Sequence, residues 1–202
     1  LLTSVGDIMA RTDINKIVQD LQSDDGSVLW SLILGEQIEY PVTLDFITNA
    51  YYYIYEAVLI EADNVPGSED IPDAIKPNGV KEVINVRVPV ERGDWDPTTV
   101  YSMEQVVTYG GKYYKLGNYV NYLSSTPPDQ DSKWAEHDPR IVYIQFTNDL
   151  AMDWSNSPTA SKPVYGFFEL RVTEPTGGTI FKKTWKPVRG IVEFSFSPTE
   201  LL

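Results

Sequence analysis

Residues 95–134 read WDPTTVYSMEQVVTYGGKYYKLGNYVNYLSSTPPDQDSKW and hold the clearest structural pattern in the chain. Two tryptophans, Trp95 and Trp134, bracket six tyrosines. Gln105–Tyr109 and Lys112–Leu116 are both rich in β-branched and aromatic residues, and only Gly110-Gly111 separates them. Two such runs joined by two glycines predict a β-hairpin, because glycine tolerates the positive φ angles of a tight primed turn. Pro127-Pro128 then interrupts any continuing ladder, since neither residue has an N–H to donate. A stretch this short buries enough apolar surface only through large side chains. The expectation is a small β module with an aromatic core.

Working outward, strand-like runs lie on both sides. Val28–Leu34, Ile38–Phe46, Ala50–Ala62 and Val83–Val90 precede the module, and Ile141–Phe146, Val164–Val172, Ile180–Trp185 and Ile191–Phe196 follow it. Turn residues punctuate them, including Asp24-Asp25-Gly26 and Gly177-Gly178. Pro41 directs its strand toward a sheet edge or a bulge. Residues 63–81 form an acidic, proline-punctuated loop, and Asn148–Trp154 suits a short helical turn. Residues 7–21 are the best helix candidate, with Thr12 or Asp13 as cap and Ile14, Ile17, Val18 and Leu21 on one face. That helix either packs on its own domain or reaches a neighbouring subunit.

Strands this apolar need a second layer. The predicted fold is therefore all-β: a two-layer β-sandwich host domain, discontinuous in sequence, with a small inserted aromatic-rich β module and one short N-terminal helix. Its parts are an arm over 1–26, a host domain over 27–91 and 140–202, and a module over 92–139. Insertion at a surface loop with close ends adds little closure entropy.

Composition limits the function. The chain has 202 residues, no cysteine and a net charge of -13. Disulfide scaffolds, thiolate metal sites and cysteine nucleophiles are excluded. So many negative charges oppose phosphate binding, so nucleic acid is not expected as a partner. The charge is uneven: residues 1–91 carry 16 acidic and 5 basic side chains, whereas 139–202 carry 6 and 7. That asymmetry fits either a solvated acidic surface or a face that meets a basic partner. No apolar run approaches the roughly 18 residues of a membrane helix, and no leader pattern opens the sequence, so a soluble chain is expected.

Candidate chemistry is sparse. His137, the single histidine, stands beside Asp138-Pro139 and reads as a surface loop residue without a nucleophile motif nearby. The pairs Asp94/Asp96 and Asp129/Asp131 read as solvated turns, because a calcium site needs about six to eight oxygens in a fixed shell. No pair is singled out for glycosidic chemistry. No catalytic residue, metal ligand or cofactor is expected. The aromatics remain: Tyr119, Tyr122, Trp95 and Trp134 are the candidate carbohydrate-binding residues, each offering a flat face to a sugar ring. For the two tryptophans, a place in the module core is the competing reading.

The order Trp95, Tyr101, Val107, Tyr109, Gly111, Tyr114, Pro127, Trp134 resembles the small carbohydrate-binding modules of chitinases, families 5 and 12. Those modules carry exposed paired aromatics after the second strand, where this chain has Tyr119 and Tyr122. Met103-Glu104-Gln105 departs from the family's usual Gly-Asp before the first valine. The flanking runs IEYPVTLDF, YYYIYEAVLIEADN, PVYGFFELRVTEP and TWKPVRGIVEFSFSP resemble structural proteins of tailed bacteriophage particles, including those of cyanophages. The resemblance implies a non-enzymatic virion component of tail, baseplate, neck or fibre. Its location would be the virion, assembled in the host cytoplasm. Its partners would be other phage structural proteins and further copies of itself, without membrane insertion. The alternative it implies is a glycan-binding adhesin for host-surface polysaccharide.

Overall fold

The computed structural model describes residues 28–33, 37–62, 79–147, 150–151, 154, 163–175 and 183–195. The helix candidate at 7–21, most of the 63–81 loop and the Gly177-Gly178 turn lie outside them, as does most of the turn expected at 148–154. The chain is all-β. Eleven strands are described: β1 (Val28–Ile33), β2 (Ile38–Thr43), β3 (Ile54–Ala62), β4 (Lys81–Arg87), β5 (Val90–Asp94), β6 (Gln105–Tyr109), β7 (Lys112–Leu116), β8 (Trp134–Glu136), β9 (Ile141–Phe146), β10 (Val164–Thr173) and β11 (Thr184–Ser195). They form two sheets, a seven-stranded one in the order β1-β11-β10-β3-β4-β9-β2 and a four-stranded one in the order β5-β6-β7-β8.

Two compact units result. One draws its described residues from 1–40, 53–86 and 144–202, and the other from 41–52 and 87–143.

In the first unit, β3 and β10 run antiparallel at the sheet centre, from Tyr165 opposite Ala62 to Thr173 opposite Ile54. Leu59, Phe168, Leu170, Val172, Ile191, Val192 and Phe194 are buried. Ala57, Val58 and Leu59 are buried in succession, so both faces of β3 are covered. A single open antiparallel sheet would alternate buried and exposed residues along the strand, so β3 has cover on each side. Phe146 and Phe168 pack at 5.8 Å, and Trp154 meets Phe194 edge-on at 5.3 Å. Two carboxylates are buried in this sheet, Glu61 on β3 and Glu169 on β10. Glu169 accepts from Arg171 Nε at 2.5 Å and Lys186 Nζ at 2.9 Å. Burial pushes its carboxyl up, but the two cations outweigh that and hold it below the usual carboxylate range.

Proline placement follows backbone logic. β2, which contains Pro41, is an edge strand. The two strands expected at 180–185 and 191–196 are replaced by the single β11. Pro187 is accommodated there because the register with β10 shifts between Leu170 and Val172, opposite Val188 and Trp185. Such a bulge leaves one residue without a ladder partner, and a proline fits that place. The long strand expected over 50–62 starts later, because Ala50–Tyr52 is a single 3-10 turn. Asn49 Oδ1 nucleates it by accepting from Tyr51 N at 2.8 Å.

Gly166 on β10 marks a close approach. A Cβ there would sit 2.5 Å from the Trp154 ring and 2.9 Å from Leu59 Cδ1. Gly166→Ala should lower stability by about 1–3 kcal/mol, the usual cost of overpacking a tight core. Urea denaturation checks this, with an unchanged midpoint as the contrary result.

Candidate functional site

The second unit is built on the hairpin. Gly110 and Gly111 have φ angles of 59° and 76°, so the two-residue turn is of the primed kind. The register sets Val107 opposite Tyr114, Tyr109 opposite Lys112, and Leu116 opposite Trp134. Side chains opposite one another share a face. One face thus carries Val107, Tyr109, Lys112, Tyr114, Leu116, Trp134 and Glu136, and the other carries Val106, Thr108, Tyr113, Lys115 and Ala135.

The first face holds the module's core. Tyr101, Val107, Tyr114, Leu116 and Trp134 are buried together, with Trp95, Tyr109 and Tyr122 packed against them. Tyr101 meets Trp134 edge-on at 5.2 Å, and Trp95 meets Tyr109 edge-on at 5.6 Å. These are the favoured geometries for aromatic pairs.

Farther along the same face lies an open groove of about 750 Å³. Its walls are Tyr109, Lys112, Tyr114, Trp134 and Glu136 from the sheet, and the Pro128–Ser132 corner. The proline pair forms that corner: Gln130 N donates to Pro127 O at 3.0 Å.

The four sequence candidates divide. Trp134 is 5% exposed and sits in the core. Trp95 is half-buried against Tyr109. The burial of Trp134 leaves it no free flat face. Tyr119 is 42% exposed. Tyr122 is half-buried: its hydroxyl donates to Asp131, and its backbone pairs reciprocally with Tyr101 at 2.7 Å. The Tyr119 and Tyr122 rings lie 5.6 Å apart, tilted by 42°, with Lys133 Nζ 5.6 and 5.0 Å from their centres. Val120 and Leu123 beside them are exposed.

The acidic pairs are turn elements in part. Asp94 accepts from the Thr108 hydroxyl, and Asp96 accepts from Thr98 N at 2.8 Å. Asp131 accepts from Lys133 N at 3.1 Å as well as from Tyr122. Asp129 takes no partner among the described residues.

The opposite face combines the buried Val106 with Thr108, Tyr113 and Lys115, and it meets the 41–52 segment, which sequence reasoning assigned to the host strands. Leu44 N donates to Arg140 O at 3.1 Å and Ala50 N to Pro139 O at 2.7 Å. Arg140 also reaches Asp45 at 3.0 Å and Asp138 at 2.7 Å. Tyr51 packs on Tyr113 at 6.0 Å, and Asn49 Nδ2 donates to the Tyr113 hydroxyl at 3.3 Å. Glu104 bridges Arg87 at 2.6 Å and Lys115 at 3.2 Å, and Lys115 Nζ donates to the Tyr143 hydroxyl at 3.0 Å. Arg87 also stacks 4.4 Å from the centre of the Tyr143 ring.

His137 adjoins this network and corrects the surface reading. It is 8% exposed, and its Nε2 has no hydrogen-bond partner among the described residues. Burial, and then the positive charge of Lys115, push its imidazole down to about 4, against the opposing pull of Asp138 and Glu104. Its neutral form is the one the fold accepts. Burial of a loop histidine leaves no mark in the local sequence.

The unit also begins earlier than expected. Val90 and Glu91 are expected to belong to the host domain, but Val88-Pro89 breaks the strand, and β5 pairs parallel with β6 in the smaller sheet.

No protein-family model matches this chain, and no curated protein and no solved structure matches it either.

Proposed function

We propose that this chain is a non-enzymatic structural component of a tailed-phage particle that displays a small aromatic β unit. The observation that carries the reading is the insertion itself. The chain leaves the seven-stranded sheet from β4 and returns in β9, the neighbouring strand of that sheet. A separately cored unit suits display, because the scaffold strands and the displayed unit fold around different residues. The resemblance of the flanking strands to phage structural proteins supports the same reading. Proteomics and immunogold labelling of purified particles test it. Labelling of the particle is the expected result; presence only in the unassembled host fraction refutes it.

A second reading concerns what the unit binds. The tilted Tyr119–Tyr122 pair, with Lys133 beside both rings, provides an apolar surface next to a hydrogen-bond donor, the combination that suits a sugar ring. On this reading the unit attaches the particle to host-surface polysaccharide. Tyr119→Ala should weaken retention on an array of host polysaccharides by about tenfold, in the range of an exposed aromatic contact, and leave the circular dichroism spectrum unchanged. Tyr119 is the cleaner probe, because Tyr122 also supports the fold through Asp131 and Tyr101. Unchanged retention would remove the ring pair from recognition.

A further inference from the structure

The groove over the hairpin face is separate from the Tyr119–Tyr122 pair: none of its lining residues is either tyrosine. Its volume of about 750 Å³ falls within the roughly 300–1,000 Å³ typical of small-molecule sites. Its chemistry is specific in three ways. Tyr109, Tyr114 and Trp134 give it an aromatic side, and Pro128 an apolar one. Asp129, Gln130 and Ser132 line it with side chains that take no partner among the described residues. Trp134, 5% exposed, closes the floor of that aromatic side, and its indole Nε1 has no hydrogen-bond partner among the described residues.

Charge narrows the ligand. Asp129, Asp131 and Glu136 oppose one cation, Lys112, which is itself tied to Glu136 at 2.8 Å. Three negative groups against one positive group leave a formal charge of -2 on the groove. Anionic ligands are repelled, and an ammonium group is attracted. Hydroxyl-bearing rings suit the uncommitted amide, hydroxyl and carboxylate.

We propose that this groove is a subsite for amino sugars bearing a free ammonium group, with Asp129 as the carboxylate that receives it. The proposal rests on the reading of the unit as a glycan binder, and it adds a second site and a charge preference to that reading.

Calorimetric titration of the full chain with three tetrasaccharides tests it: a glucosamine tetramer, its N-acetylated counterpart and a galacturonic acid tetramer. The glucosamine tetramer should bind about fivefold or more tighter than the N-acetylated one, and less tightly as salt rises. The galacturonic acid tetramer should not bind. Asp129→Asn should remove about fivefold of the affinity for the glucosamine tetramer, the scale of an exposed ionic contact. Tyr119→Ala should leave that affinity unchanged. Asp129 is exposed and partnerless among the described residues, so its substitution should not disturb folding. Equal or tighter binding of the N-acetylated tetramer, binding of the acidic tetramer, or an inert Asp129→Asn would overturn the proposal. Polysaccharide retention that depends on Tyr119, with no glucosamine binding, would reject the groove alone and keep the broader reading. The absence of all glycan binding would reject both.

Discussion

Trp134→Ala is expected to lower the stability of the unit formed by 41–52 and 87–143 by about 3–5 kcal/mol, the range for removing a large buried aromatic. The indole is 5% exposed, contacts Tyr101 edge-on, and lies opposite Leu116 in the register of β7 and β8. β8 has only three residues, so little else holds that strand to its neighbour. Domains typically have about 5–15 kcal/mol in total, and a small unit lies near the bottom of that range. The variant should therefore leave the unit largely unfolded near neutral pH. Denaturant titration followed by tyrosine and tryptophan fluorescence measures this. A loss under about 1 kcal/mol, the scale of a surface substitution, would mean that Trp134 is not a core residue.

The second large effect is a response to acid. His137 has its imidazole pushed down to about 4 in the folded chain, against about 6.5 in an unfolded one. Between those values the unfolded state binds the extra proton and the folded state does not. Stability is then full above about pH 6.5 and falls as the pH drops toward 4, by at most about 3 kcal/mol in all. The charged groups around the ring are Lys115, Asp138 and Glu104. Glu104 and Asp138 are themselves held below the ordinary carboxylate range, so their own contributions are lost later, at lower pH. His137→Phe should flatten the slope between pH 6.5 and 4 in urea midpoints measured across that interval. A slope equal to that of the unsubstituted chain would assign the acid response to other groups.

Much of the fold was legible because local chemistry decides it. The Gly110-Gly111 turn needs positive φ at both residues and has it. Ile141–Phe146 alternates, with Val142, Ile144 and Phe146 buried. Pro41 belongs on an edge and lies there. What was not legible depends on distant contacts. Nothing in 41–52 announces that Leu44 and Ala50 donate to the carbonyls of Arg140 and Pro139. Val90 and Glu91 have no property of their own that sends them to the smaller sheet. Pro187 reads as a break until a bulge opposite β10 is known to absorb it.

The candidate site shows the same split. Tyr and Trp positions were visible, but which of them stay exposed is fixed by packing, and Trp134 and Tyr122 serve the fold. The groove was invisible, because Asp129 and Glu136 come to a common opening only through the proline corner and the β7–β8 register.

Hydrogen exchange read residue by residue on the Trp134→Ala chain addresses the central claim, that 41–52 and 87–143 form one unit around an aromatic core. The amides of Leu44 and Ala50 should lose protection together with those of Val107 and Leu116. Protection retained at Leu44 and Ala50 while the hairpin amides exchange freely would contradict it.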